Sequence, residues 1–173
     1  MPKKIVILMD GTSNQISADR TNILRLYGTL KKTDEQLVFY DPGVGTMAAG
    51  TGGMGQLAKL AEVFGMATGQ GLHENVIEAY RFLVDNFEYQ AETALDPGWQ
   101  DEIYIIGFSR GAYSARILAG FLRAFGIIEK RNLNLLGYIY RAYRHVGGNA
   151  AQLRADDKRL GPLRHHRNAV RPF

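Results

Sequence analysis

Ile103-Tyr104-Ile105-Ile106-Gly107-Phe108-Ser109-Arg110-Gly111-Ala112 is the stretch on which the reading of this chain turns. The apolar, isoleucine-rich run predicts a strand over 102–106, and the Ala- and Leu-rich pattern that follows predicts a helix over 112–125. Between them, Gly107-Phe108-Ser109-Arg110-Gly111 matches G-x-S-x-G. The pattern alone arises by chance, but a strand before it and a helix after it are the placement that a nucleophile elbow requires. Such a turn forces the serine into a strained backbone conformation, and the small residues Gly107 and Gly111 keep neighbouring chain segments from colliding. The Ser109 hydroxyl then stands at the carboxyl edge of a sheet. There the free N–H groups and positive dipole end of the following helix favour an oxyanion, with the Arg110 N–H as one donor. The bland alternative makes Ser109 a small residue at an ordinary strand-to-helix turn.

Outward from this stretch, strand and helix alternate. Ile5 to Met9 is a continuous apolar run that reads as a buried parallel strand opening into a loop. Arg20 to Lys32 carries Ile23, Leu24, Leu26, Tyr27 and Leu30 at helical spacing, with Thr21 or Asp19 as its cap. Gln36 to Tyr40 is a strand closed by the turn Asp41-Pro42-Gly43. Six glycines fall between Gly43 and Gly55, without the Lys-Ser/Thr ending of a P-loop, so this segment reads as a flap or a surface loop. Helical patterns follow over 56–66 and over 72–89, the second with Val76, Ala79, Tyr80, Leu83 and Phe87 as its apolar stripe. Leu133 to His145 is again helical in spacing, and no strand is expected after Ile106. The predicted class is α/β, a three-layer sandwich with a parallel sheet flanked by helices. Residues 1–149 form the domain and 150–173 a basic tail of low order.

Composition bounds the chemistry. With 173 residues, 46% hydrophobic and 22% charged, the chain suits one globular domain. The absence of cysteine excludes disulfides, thiol catalysis and zinc–thiolate sites. No metal-ligand set or cofactor motif is evident, so neither a metal nor a cofactor is expected. The apolar run after Lys4 is five residues, too short for a signal peptide's apolar region of about 7–15 or a membrane span of about 20. A cytoplasmic location as synthesised is therefore expected. Residues 1–149 hold 15 basic and 15 acidic side chains, and 150–173 hold six and two. A neutral body with a short basic end gives little support to nucleic-acid binding.

A second constellation, Asp10-Gly11-Thr12-Ser13-Asn14, follows the first strand. In enzymes built around an elbow the other oxyanion donor comes from a loop after an earlier strand, which points to the N–H of Gly11 or Thr12. An Asp-Gly-Thr loop can instead cradle a phosphate, which would suit a phosphate-handling enzyme. Asp10 and Asn14 can also simply bond local amides in a capping turn.

Four segments occur in order: Asp10 to Asn14; Tyr40-Asp41-Pro42-Gly43-Val44-Gly45-Thr46; Gly71-Leu72-His73-Glu74-Asn75-Val76-Ile77-Glu78-Ala79-Tyr80-Arg81-Phe82-Leu83; and Gly107 to Arg116. Together they resemble, over about residues 3 to 145, the amino-terminal part of the α/β-hydrolase family that includes the phospholipase effectors of type VI secretion systems. The resemblance implies a lipase or phospholipase with Ser109 as nucleophile in a Ser-Asp-His triad, a lipid or other ester substrate, and export by a type VI route. It also implies an Asp and a His on later segments, for which this sequence shows no counterpart. Asp156 or Asp157 with His165 or His166 obeys the chain order, but the pair is closer in sequence than a strand-helix-strand unit of about 30 residues allows. His73 and His145 read as surface or capping residues. The expectation is a truncated hydrolase with an uncovered sheet edge, drawn to a protein partner or a second copy of itself. Alternatives are a non-catalytic binding module on the same fold and the phosphate-handling enzyme based on Asp10.

Overall fold

The computed structural model of the protein describes residues 2–11, 21–43, 70–146 and 164–165. In chain order its elements are β1 (Lys4–Met9), α1 (Asn22–Thr29), β2 (Gln36–Asp41), α2 (Gln70–Asn86), β3 (Tyr89–Gln90), β4 (Trp99–Gln100), β5 (Glu102–Gly107), α3 (Arg110–Phe125), β6 (Ile127–Ile128), a 3-10 turn at Lys130–Leu135, α4 (Leu136–Val146) and β7 (Arg164–His165). The expected α/β class is present as a three-stranded parallel sheet in the order β2-β1-β5, flanked by helices.

The winding follows from the apolar pattern. The chain leaves β1 for β2 on one side and then crosses to β5 on the other. Right-handed connections therefore send the intervening helices to opposite faces. Val6 and Leu8 pack under α1 with Ile23, joined by Leu26, Tyr27, Val38 and Tyr40. Ile5, Ile7 and Met9 point the other way, into a larger core with Val76, Tyr80 and Leu83 of α2, Leu118 and Phe121 of α3 and Leu136 of α4. Both faces of β1 are covered, which is why its run is unbroken in apolar residues. Among the described residues strand β5 is packed on one face. Ile103 and Ile105 pack against the larger core, while Tyr104 and Ile106 remain 37% and 38% exposed. Among the described residues β5 pairs with β1 alone, so its other edge has no described strand partner.

Buried polar contacts fix the amino end of the sheet. The Asp101 carboxylate, fully buried, accepts N–H bonds from Lys3 and Glu88, each at 2.8 Å, and pairs with Lys3 Nζ at 2.8 Å. Burial works against the Lys3 charge, but Asp101 and Glu88 outweigh it and hold the ammonium above its usual range. On the larger core, the Tyr80 hydroxyl donates to the Gly126 carbonyl at 2.9 Å and accepts the Ile128 N–H at 3.0 Å. It thereby fastens the end of α3 to α2.

Several boundaries differ from the sequence reading, each for a local reason. Thr21 is the cap of α1, accepting the Leu24 N–H at 3.0 Å. Helix α2 stops at Asn86 because Asp101 takes the Glu88 N–H, and β3 then pairs with β4 in a small antiparallel hairpin. The expectation of no strand after Ile106 is overturned. Strands β6 and β7 pair antiparallel, with Ile127 opposite His165 and Ile128 opposite Arg164. A two-residue strand carries no periodicity, so its pairing was invisible in the pattern. The helical pattern over 56–66 and the glycine-rich segment beyond Gly43 lie outside the described residues.

Replacing Tyr80 with Phe leaves the buried Gly126 carbonyl and Ile128 N–H without their partner. The expected loss is about 1–3 kcal/mol in urea unfolding, with little change in the slope of the transition.

Candidate functional site at the carboxyl edge of the sheet

Ser109 sits one residue past β5, between the strand and the first turn of α3, with φ 53° and ψ −123°. It is the one non-glycine residue with positive φ among the described residues. Most side chains avoid this region, and its use at a functional turn is a recognised form of stored strain. The glycines on either side explain how the turn closes. A Cβ at Gly111 would fall on the carbonyl oxygens of Met9 and Asp10, and one at Gly107 would meet the backbone of Gly111 and Ala112. Helix α3 can thus start directly against the end of β1. The Phe108 N–H donates to Met9 O at 3.0 Å and the Ala112 N–H to Ser109 O at 3.0 Å, which completes the turn. The Arg110 and Gly111 N–H groups at the start of α3 have no carbonyl a turn before them in the helix, and Ser109 beside them is exposed.

The position of this turn in the sheet is informative. Because the chain runs from β1 to β2 and then back across to β5, the winding reverses between β1 and β5. Ligands of open parallel sheets bind outside the carboxyl ends of the strands at such a reversal. Asp10 and Ser109 stand on its two sides, since Met9 and Gly107 are register partners.

Asp10 is 1% exposed, and its carboxylate is occupied by internal donors. Oδ1 accepts the Gly11 N–H at 2.7 Å; Oδ2 accepts the Tyr40 hydroxyl at 3.0 Å and also the Thr21 hydroxyl. Burial and the neighbouring Asp10 charge push the Tyr40 phenol far above its usual range, which keeps it a donor. Asp41, at the end of β2, accepts the Gly43 N–H at 2.8 Å and the Asn75 side-chain N–H at 2.6 Å. Burial raises its carboxyl above the ordinary range against the pull of these two donors, and Glu78 and Asp10 add to the rise. Gly43 adopts φ 82°, and a Cβ there would lie 2.5 Å from the Gly11 carbonyl oxygen. The segments beginning at Asp10, Tyr40, Gly71 and Gly107 therefore interlock: Asp10 with Tyr40, Asp41 with Asn75, and Gly111 against the Met9–Asp10 backbone. Sequence reasoning singled out the segments but not Tyr40, Thr21 or Asn75 as the groups that join them.

The family model described as "T6SS, Phospholipase effector Tle1-like, catalytic domain" matches residues 3–169. The chain belongs to this Tle1-like catalytic-domain family. The match runs past residue 145 into the segment read as a tail, so more of the chain is accounted for than the motifs alone suggested. An uncharacterized protein of Saccharomyces cerevisiae, YEL023C, is 33% identical over 135 residues, covering 74% of this chain and 18% of its own length. The chain thus spans less than a fifth of the relative it matches. No solved structure matches it.

Within the Tle1-like chain, the remaining candidates fall as follows. Thr12, Asn14, Asp156, Asp157 and His166 lie outside the described residues; of His165 the structure gives only the backbone pairing. Among the described residues no side chain hydrogen-bonds the Ser109 hydroxyl. His73 instead pairs its Nδ1 with the Tyr140 hydroxyl at 2.8 Å, and burial together with Arg144 lowers its pKa below the usual imidazole range. His145 is exposed on α4. No group of three or more His, Asp or Glu side chains that could hold a metal ion occurs among the described residues. The Asp10 carboxylate is buried and engaged by internal donors, and the rest of the loop on which a phosphate-handling role would depend, Thr12 to Asn14, lies outside the described residues.

Two outcomes follow. Asp10→Ala orphans three donors at the strand end and is expected to cost about 3 kcal/mol or more, read by urea unfolding. His73 has a folded pKa below its unfolded value of about 6.5, so the unfolded chain binds the extra proton first. The His73 contribution to stability is present above about pH 6.5 and is lost as pH falls below it. Unfolding midpoints measured at neutral and mildly acidic pH should diverge less in His73→Gln than in the parent.

Proposed function

We propose that this chain carries the nucleophile of a serine esterase of the phospholipase type, on the central part of an α/β-hydrolase-type sheet. The observation that carries the reading is the strained Ser109 at the strand-to-helix turn, exposed at the reversal point of the sheet. Membership of a phospholipase effector family supports the substrate class.

In this reading the Ser109 Oγ attacks the carbonyl carbon of an acyl ester as its proton passes to a general base. The tetrahedral oxyanion accepts hydrogen bonds from the Arg110 N–H and from the loop at Gly11 and Thr12. The Gly11 N–H is engaged by the Asp10 carboxylate, so of the two the Thr12 N–H is the donor we assign to the oxyanion. Collapse breaks the bond to the alcohol oxygen, which leaves as the lysophospholipid, and water then hydrolyses the acyl-enzyme. The base and its orienting carboxylate belong to residues beyond those described. Export by a type VI route is part of the same proposal.

The test is pre-steady-state release of p-nitrophenol from p-nitrophenyl butyrate by the 173-residue chain. A burst approaching one equivalent, absent in Ser109→Ala, is expected. No burst from well-folded protein, or an equal burst from Ser109→Ala, contradicts the reading and favours a non-catalytic binding module.

A further inference from the structure

The neutral balance of the chain body conceals a division at the elbow. Residues 1–109 hold 8 Lys+Arg against 14 Asp+Glu, whereas 110–146 hold 7 against 1. The structure places that second stretch on α3, the 3-10 turn and α4. Both basic residues of the 3-10 turn are neutralised: Lys130 pairs with Asp85 at 3.0 Å and Arg131 with Glu129. Arg116 and Arg123 on α3, and Arg141 and Arg144 on α4, are exposed and form no ion pair with another described residue.

The same surface carries exposed aromatic rings. Phe108 beside the serine is 52% exposed, Tyr113 in the first turn of α3 is 59%, and Tyr138 on α4 is 68%. Tyr113 and Arg116 are three apart and Arg116 and Arg123 seven apart, so they share one side of α3. On α4, the Arg141 guanidinium lies 4.8 Å from the Tyr138 ring centre. The opposite side of α4 is buried through Leu136, Ile139 and Tyr140, and its Tyr140 and Tyr143 rings each sit 5.3 Å from Phe121 of α3. The two helices are therefore packed neighbours.

Resting on the esterase reading above, we propose that the exposed side of α3 and α4, with Phe108, is a docking surface for an anionic phospholipid bilayer that brings the Ser109 turn to the lipid. Exposed arginines complement anionic headgroups, and amphipathic or apolar rings settle at the headgroup level. A nucleic acid would use the same charge. The lipid is favoured because Phe108 and Tyr113 flank the serine itself, where an ester substrate has to arrive.

The test is sedimentation of the 173-residue chain with phosphatidylcholine vesicles, with and without phosphatidylglycerol, at low and high salt. Each arginine at an anionic surface contributes about fivefold in partitioning, so R116Q/R123Q and R141Q/R144Q should each lower binding about 25-fold at low salt. Charge-conserving R116K/R123K should retain most of it, and Tyr138→Ser should reduce the salt-resistant part several-fold. Thermal unfolding of each variant excludes loss of fold, and the p-nitrophenyl butyrate burst should be unchanged in all of them. Equal binding to neutral and anionic vesicles, unchanged binding in both arginine pairs, or tighter binding to a DNA duplex than to anionic vesicles overturns the docking surface. Ser109→Ala should bind vesicles like the parent while losing the burst. Failure of the burst with vesicle binding intact therefore counts against the esterase reading and not against the surface.

Discussion

The Asp10 carboxylate is the constraint on which the carboxyl edge depends. A nearly inaccessible carboxylate is costly to bury unless donors replace its water. Here the Gly11 N–H and the Thr21 and Tyr40 hydroxyls do so, from the loop after β1, the cap of α1 and the end of β2. One charge thus holds together three segments that the sequence separates. With the β1 terminus fixed, α3 can start against the Met9–Asp10 backbone, at a distance that only a glycine at 111 allows. The serine conformation is the consequence of that close approach, and its strain is borne by contacts that would all have to break together.

The electrostatics of the edge are layered. Asp10 and Asp41 are buried or half-buried and engaged inward, so their charge holds loops in place and leaves little carboxylate oxygen facing the serine. At the serine the fixed dipole is the positive end of α3, which begins at Arg110. A negative group arriving or developing there meets a favourable field. The acidic first part of the chain and the basic second part meet at Ser109, so charge division and strand winding reverse at the same place.

Much of this was legible in the sequence because it is encoded locally. Apolar runs marked the three strands, and Gly107 and Gly111 at fixed offsets from Ser109 marked the strand-to-helix turn. Thr21 was readable as a cap from its position before an apolar periodic segment. What was not legible depends on distant partners or on elements too short to carry a period. Tyr40 reads as one more strand residue until Asp10 is beside it, and Asn75 as one more helical residue until Asp41 is. Asp101 gave no signal of its role in tying Lys3 to Glu88. The pairing of Ile127-Ile128 with Arg164-His165 could not be read from two-residue strands. The arginine surface was hidden because charge was summed over the whole body, where the acidic first part cancels it.

The central claim is that the geometry of this edge makes Ser109 a reactive hydroxyl. The most direct measurement is incubation of the folded chain with a fluorophosphonate, followed by intact mass and peptide mapping. The account predicts a single adduct on Ser109, formed by native protein and lost when the chain is unfolded in urea. No adduct on folded protein, or labelling spread over other hydroxyls at the rate seen for the unfolded chain, would contradict it.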